Sequence, residues 1–222
     1  MLSPRDLKLP LPEGWDVLVG CDTGTYMSAI VVGIQPDTGA AFVFEEFPNY
    51  QYVGGELELQ GLTVPAWAKW VVTSASRYMR TPGRRINAWA DANTQFRSEL
   101  IHYGINLRPN FRKLELRLEI TREYQQAKDA SGNAAKLFLA PWLDVLPYEL
   151  EHAVWPEEST TGGKYERVKQ HDHTLDCLEH CLSRRPQSRK ILRKKDLTFR
   201  ERFLQENRRP DLQTGDPHLG RL

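Results

Sequence analysis

With 222 residues, 40% apolar and 27% charged, the chain has the balance of an ordinary soluble domain and can bury a core without staples. No run of about 18 apolar residues crosses a membrane, the opening residues lack the regions of a secretory leader, and Cys21, Cys177 and Cys181 are too few for a disulfide framework. A reducing cytoplasm is the expected setting, and the net charge of +1 conceals a basic segment, residues 183–222 with 12 Lys/Arg against 5 Asp/Glu, behind an acidic body with 18 against 24.

Residues 1–14, with three prolines and a glycine, read as an irregular leader. Asp16 to Asp22 is a short apolar run ending at a carboxylate, and Thr23-Gly24-Thr25 is a turn. Ser28 to Ile34 and Ala41 to Phe47 are further β-branched runs, separated by the turn chemistry of Gln35 to Gly39. Three such runs predict an antiparallel meander. Residues 48–63, with Gly54-Gly55, read as a loop or small hairpin, and Val64 to Tyr78 as a helix with Pro65 in its tolerated first turn.

Ile86 to Asp91 forms a fourth strand, again ending at a carboxylate. A helix from about Thr94 to Tyr103 follows, closed by Gly104, and Ile105 to Arg108 makes a short fifth strand. Phe111–Lys128 is strongly helical, with Leu114, Leu118 and Ile120 on one side. Lys136 to Ala140 is a strand, Leu143 to Ala153 a helix, 156–163 a loop, and His171 to Leu182 the last core helix. An amphipathic stretch lies near Leu197–Leu204, and the ending beyond Arg208 reads as unstructured. This order describes a mixed α/β sheet flanked by helices. The expected division is a leader at 1–14, one domain at 15–183 and a basic tail at 184–222 that meets phosphates or is simply solvated.

Hydrolysis of phosphodiesters needs carboxylates converging from different elements on divalent ions. Asp22 and Asp91 end strands that, as parallel neighbours, stand side by side where open α/β sheets hold ligands. Asp176 lies on the final helix. Aspartates at strand ends also simply make turns, so the pair counts for more than either alone.

The ordered motifs resemble the nuclease domain of tailed-phage large terminases, over about residues 15–183. Gly20-Cys21-Asp22-Thr23-Gly24 matches that family's strand-ending Gly-x-Asp-x-Gly. Ala90-Asp91-Ala92-Asn93 approximates its second acid, and Asp172-His173-Thr174-Leu175-Asp176-Cys177 its helical third. Asp172, Cys177 and Glu179-His180 depart from the usual Asn, Ala and Arg-Tyr. The resemblance implies a ribonuclease-H-like sheet of five or more strands and two Mg²⁺ or Mn²⁺ ions on Asp22, Asp91 and Asp176. It also implies that His173 sits beside the scissile phosphate. A fourth ligand is not evident; Glu45, Glu46 and Asp172 are substitutes. The implied substrate is a concatemer of double-stranded phage DNA in the host cell cytoplasm. The implied partners are an ATPase motor, a small terminase subunit and a portal ring.

Alternatives stand beside this reading. His173 also suits a capping or packing role, and Asp172 that of a helix N-cap. His173, Cys177 and Cys181 form a thiolate and imidazole stripe suited to Zn²⁺, although a single helix diverges from one ion after two ligands. The Gly20–Thr25 turn also looks like the phosphate turn of actin-like kinases, without its second half. No Gly-x-x-x-x-Gly-Lys-Ser/Thr loop is present. DNA contacts are expected from Arg77, Arg80, Arg84 and Arg85, from Lys164, Arg167 and Lys169, and from the tail. Rival functions are a Holliday-junction resolvase or transposase core, and a catalytically silent adaptor for a motor or portal.

Overall fold

In the computed structural model, β1 (Asp16–Asp22) pairs antiparallel with β2 (Ser28–Ile34), which pairs antiparallel with β3 (Ala41–Glu46). The structure describes residues 9–80, 85–91, 96–132, 134–153 and 172–184. All of these fall in one compact unit, Met1–Pro186. The second unit, the tail with its amphipathic stretch, lies outside the described residues, as do the 156–163 loop, Arg84, Lys164, Arg167 and Lys169.

The 48–63 segment is a hairpin of β4 (Tyr50–Val53) and β5 (Glu56–Leu59), turned at Gly54 and Gly55, both at positive φ. Helix α1 (Val64–Ser76) follows, then β6 (Ile86–Ala90), α2 (Arg97–His102) and β7 (Ile105–Pro109). After these come α3 (Leu114–Gln126), β8 (Leu137–Leu139), α4 (Val145–His152) and α5 (His173–Ser183). Sheet order is β7-β6-β1-β2-β3-β8, with β6 parallel to β1, β7 parallel to β6 and β8 parallel to β3. It is a ribonuclease-H-like mixed sheet flanked by helices, with six strands.

Alternation sorts the strands' side chains into two cores. Val19, Cys21, Val31, Phe42, Ala88, Ala90 and Leu107 pack with Trp67 and Val71 of α1 on one face. Ile30, Val32 and Val43 pack with Ile120, Leu146, Leu175, Leu178 and Leu182 of α3, α4 and α5 on the other. Each fully buried Leu, Ile or Val contributes about 1.5–3 kcal/mol, so α5 is held firmly across the sheet. The leader expected to be irregular is pinned where it is described: Leu11 is 1% exposed and its N–H donates to the Tyr78 carbonyl at 3.2 Å.

Several boundaries move inward. The helix expected over Phe111–Lys128 starts at Leu114, and its buried face is Arg117, Leu118, Ile120, Thr121 and Tyr124. Asp172 holds the N-cap position of α5 without a side-chain cap hydrogen bond.

Candidate active site

Strands β1 and β6 are in register at Val19–Ala88 and Gly20–Trp89. Carried two residues further, that offset sets Asp22 level with Asp91, with backbones about 4.8 Å apart. Cys21 and Ala90 point into the α1-side core, so alternation turns both carboxylates to the α5 side.

Helix α5 crosses β1 so closely that only glycine fits at position 20. A Cβ there would lie 2.0 Å from the Cys177 carbonyl oxygen and 3.0 Å from Cys181 Sγ. This approach brings His173 Nδ1 to 2.7 Å from Asp22 Oδ2 and His180 Nε2 to 3.6 Å from Asp91 Oδ1. Asp176 comes three residues after His173 and four before His180, which sets it on the same helix face between them.

A carboxylate only accepts, so His173 Nδ1 carries the proton it shares with Asp22, and the ring's Nε2 is left for exchange. Tyr26 stacks on the imidazole with centroids 5.2 Å apart, and Tyr50 meets it edge-on at 5.7 Å. Burial works against the charged ring, but the hydrogen bond to Asp22 and its charge, aided by Glu149 and Asp172, raise the His173 pKa overall. The other Asp22 oxygen accepts from the Gly24 N–H at 3.3 Å.

Beneath His173 lies a buried polar network. Glu149 of α4 accepts from Tyr50 Oη at 2.7 Å, Tyr52 Oη at 3.2 Å and the Leu175 N–H at 2.8 Å. The Thr174 hydroxyl lies 2.7 Å from both Tyr50 Oη and Ser28 Oγ. Burial pushes the Glu149 carboxyl up to about 8, against the pull of its hydrogen-bond donors.

At the Asp91 end, Arg117 Nη1 lies 3.1 Å from Asp91 Oδ1 and 2.9 and 3.1 Å from the two ring nitrogens of His180. Asn110 Nδ2 donates to Ser183 Oγ at 2.7 Å, tying the end of β7 to α5. Among the described residues, no three His, Cys, Asp or Glu side chains close on a common point as a metal-holding group. Asp22 is turned to His173 and Asp91 to Arg117.

The remaining sequence candidates have other work or other places. Cys177 and Cys181 are fully buried and their thiols are pushed up by burial, as apolar packing requires. Glu46 caps α4 through the Asp144, Val145 and Leu146 N–H groups, and Glu45 accepts from Tyr78 Oη at 2.6 Å. Arg77 pairs with Glu45 and Arg80 with Glu13. Arg85 precedes β6, at the opposite end of that strand from Asp91.

Sequence reasoning passed over Tyr26, Tyr50, Glu149 and Arg117. His180 stood there as part of a departure, Glu179-His180, from the usual Arg-Tyr, although 173, 176 and 180 share one helical face. That spacing was the available signal.

The sheet order defines the class of fold: a ribonuclease-H-like mixed sheet. No protein-family model matches the sequence, and no curated protein matches it. The particular likenesses are to solved phage structures. The nuclease domain of the P22 large terminase superposes with a TM-score of 0.56 at 13% identity, over 84% of this chain and 91% of that one. The nuclease domain of the bacteriophage SPP1 large terminase, solved with bound Mn, gives 0.51 at 10% identity over 76% and 86%. The large terminase of the thermophilic bacteriophage D6E gives 0.54 at 17% identity, and this chain spans 42% of its length. At these identities the likeness is one of fold. Among the described residues no helix is long and apolar enough to cross a membrane.

Proposed function

We propose that this chain is a metal-dependent endonuclease that cuts double-stranded DNA, the nuclease part of a phage genome-packaging machine. One observation carries the reading. Asp22 and Asp91 stand level at the carboxyl ends of parallel neighbours, beneath a helix that brings His173 to one and His180 to the other, with Asp176 between. The likeness in fold to the P22 and SPP1 nuclease domains supports it.

The donor set fits Mg²⁺ or Mn²⁺ in type. It offers hard carboxylate oxygens from three elements at a partly open edge, and such ions keep several waters, so few protein ligands suffice. Asp22, Asp91 and Asp176 would hold them. When bound, a pair of such ions supplies an activated water and neutralises charge on the leaving oxygen. His173, oriented by Asp22 and flanked by Tyr26 and Tyr50, offers Nε2 to hold or release a proton beside the acids. Arg117 keeps a positive charge at the Asp91 end, where a phosphate would sit.

By the same reading the protein works in the host cytoplasm with an ATPase motor, a small terminase subunit and a portal ring. The 42% span of the D6E protein, which has also been solved with ADP, fits a motor lying on the same longer chain or a separate one. The domain division 15–183 with a basic tail belongs to this proposal.

The test is Mn²⁺-dependent nicking of supercoiled plasmid. Asp22→Ala and Asp176→Ala should each abolish it while circular dichroism stays unchanged; undiminished cutting sinks the assignment. Preference for four-way junctions over linear duplex would favour a resolvase instead. The engagement of Asp91 by Arg117 favours one further reading, a silent adaptor that keeps the fold to dock a motor or portal. Calorimetry that detects no Mn²⁺ binding would select it.

A further inference from the structure

Strand β7 is the edge of the sheet, and on the α5 side its exposed face continues that of β6. Register sets Asn106 beside Asn87 and Arg108 beside Trp89. Asn87 Oδ1 accepts from Asn106 Nδ2 at 2.8 Å and from Arg108 Nε at 3.0 Å. One step nearer the acids, the Arg184 guanidinium lies 4.4 Å over the Trp89 ring and donates to the Pro109 carbonyl at 3.2 Å. Arg112 follows just past β7. Burial, with the charge of Arg112 as the lesser cause, makes Arg184 less basic than usual.

These cations differ from those near α1. Arg77 and Arg80 are matched by Glu45 and Glu13. Among the described residues, none of Arg108, Arg112 and Arg184 has a carboxylate partner. Guanidiniums held along one sheet edge by amides, a carbonyl and a ring face, without a carboxylate, keep charge to offer an anion. From Asn87 to Asp91 the strip runs about 13 Å at 3.3 Å per residue. Measured along a duplex axis, that length covers about four nucleotides of one strand at 3.4 Å each.

We propose that Arg108, Arg112 and Arg184, with the Asn87 and Asn106 amides, form a track for the sugar–phosphate backbone of DNA leading to Asp91. The inference rests on the nuclease reading and extends it, since the track is not among the basic clusters legible in the sequence. Such contacts position a strand without reading its bases.

The test uses the full chain and a short fluorescein-labelled duplex without divalent ions, with anisotropy followed over a salt series. Arg108→Gln combined with Arg112→Gln should make the slope of log affinity against log salt shallower by about 2. Affinity should fall equally for unrelated sequences, and the lysine pair at the same positions should restore the slope. Arg184→Gln, with its melting temperature checked because it also anchors Pro109 and Trp89, should remove about one more. An unchanged slope in these variants, beside a wild type that binds and, given Mn²⁺, cuts, overturns the track and leaves the nuclease standing. A wild type that neither binds nor cuts overturns both.

Discussion

Arg117 lies 3.1 Å from Asp91, and the two are unequally exposed: the guanidinium side chain is 9% accessible and the carboxylate 59%. The arginine is fixed by burial in α3 while the acid stands at the rim. Asp91→Asn therefore takes a countercharge from a largely buried cation and should cost about 1 kcal/mol after discounting for solvent at the acid. Arg117→Met removes the cation itself and should shift stability less, since an apolar chain of similar length fills the same space. Without the competing positive charge, Mn²⁺ should bind several-fold more tightly. Thermal melts and calorimetry on the two variants check both expectations; weaker Mn²⁺ binding in Arg117→Met would contradict the electrostatic argument.

The two glycines flanking Asp22 should respond in opposite ways. Gly20→Ala drives a methyl into the Cys177 carbonyl, a backbone atom that cannot rotate aside, so α5 must shift off the sheet at about 3 kcal/mol or more. A Cβ at Gly24 meets nothing nearer than Asp22 Oδ1 at 3.9 Å, and alanine keeps the N–H that Asp22 accepts. Its cost should stay within about 0.5 kcal/mol. Denaturant unfolding of the pair reads this directly, and equal losses would mean that the helix approach is not what position 20 serves.

Glu149 gives stability an unusual pH dependence. Its folded pKa of about 8 stands above the ordinary 4.5, so between those values the folded state holds a proton that the unfolded chain releases. The contribution is fully present below about pH 4.5 and is lost as pH rises through about 8. His173, whose pKa is also raised, acts in the same direction. Stability should fall by an amount on the order of a few kcal/mol from pH 5 to 8. Glu149→Gln, which keeps an acceptor for Tyr50 and Tyr52, should flatten that slope. A wild-type curve that is flat or rising over this window would refute the assignment.

Asp22 and Asp91 stood out because each closes a short strand-like segment, and two such segments as parallel neighbours in a mixed sheet set their ends side by side. The α5 acid and histidine were singled out by the resemblance of the Asp172–Cys177 motif, with helical spacing adding only that they share a face. Arg117 was not, because an arginine among Leu118, Ile120 and Thr121 reads locally as the solvated side of a helix. Only packing of α3 against α5 makes its position internal. The Tyr50–Glu149 bond joins residues 99 apart in the chain, and no local pattern encodes such a pairing. Arg108, Arg112 and Arg184 form no run in sequence; the edge strand and the end of α5 gather them.

His173 separates positioning from chemistry. Its Nδ1 is committed to Asp22, and its ring is held by Tyr26 and Tyr50. His173→Gln can still donate to Asp22 through its amide but cannot exchange a proton at neutral pH. If the ring transfers a proton, this variant should cut plasmid about 10²-fold more slowly, with melting temperature and Mn²⁺ affinity near wild type. If the ring only steadies Asp22, glutamine should preserve cutting within a few-fold, while His173→Ala, which leaves that oxygen without its donor, should lose it. Single-turnover rates for both variants at saturating Mn²⁺ distinguish the two roles. Full activity in both would remove His173 from the site altogether.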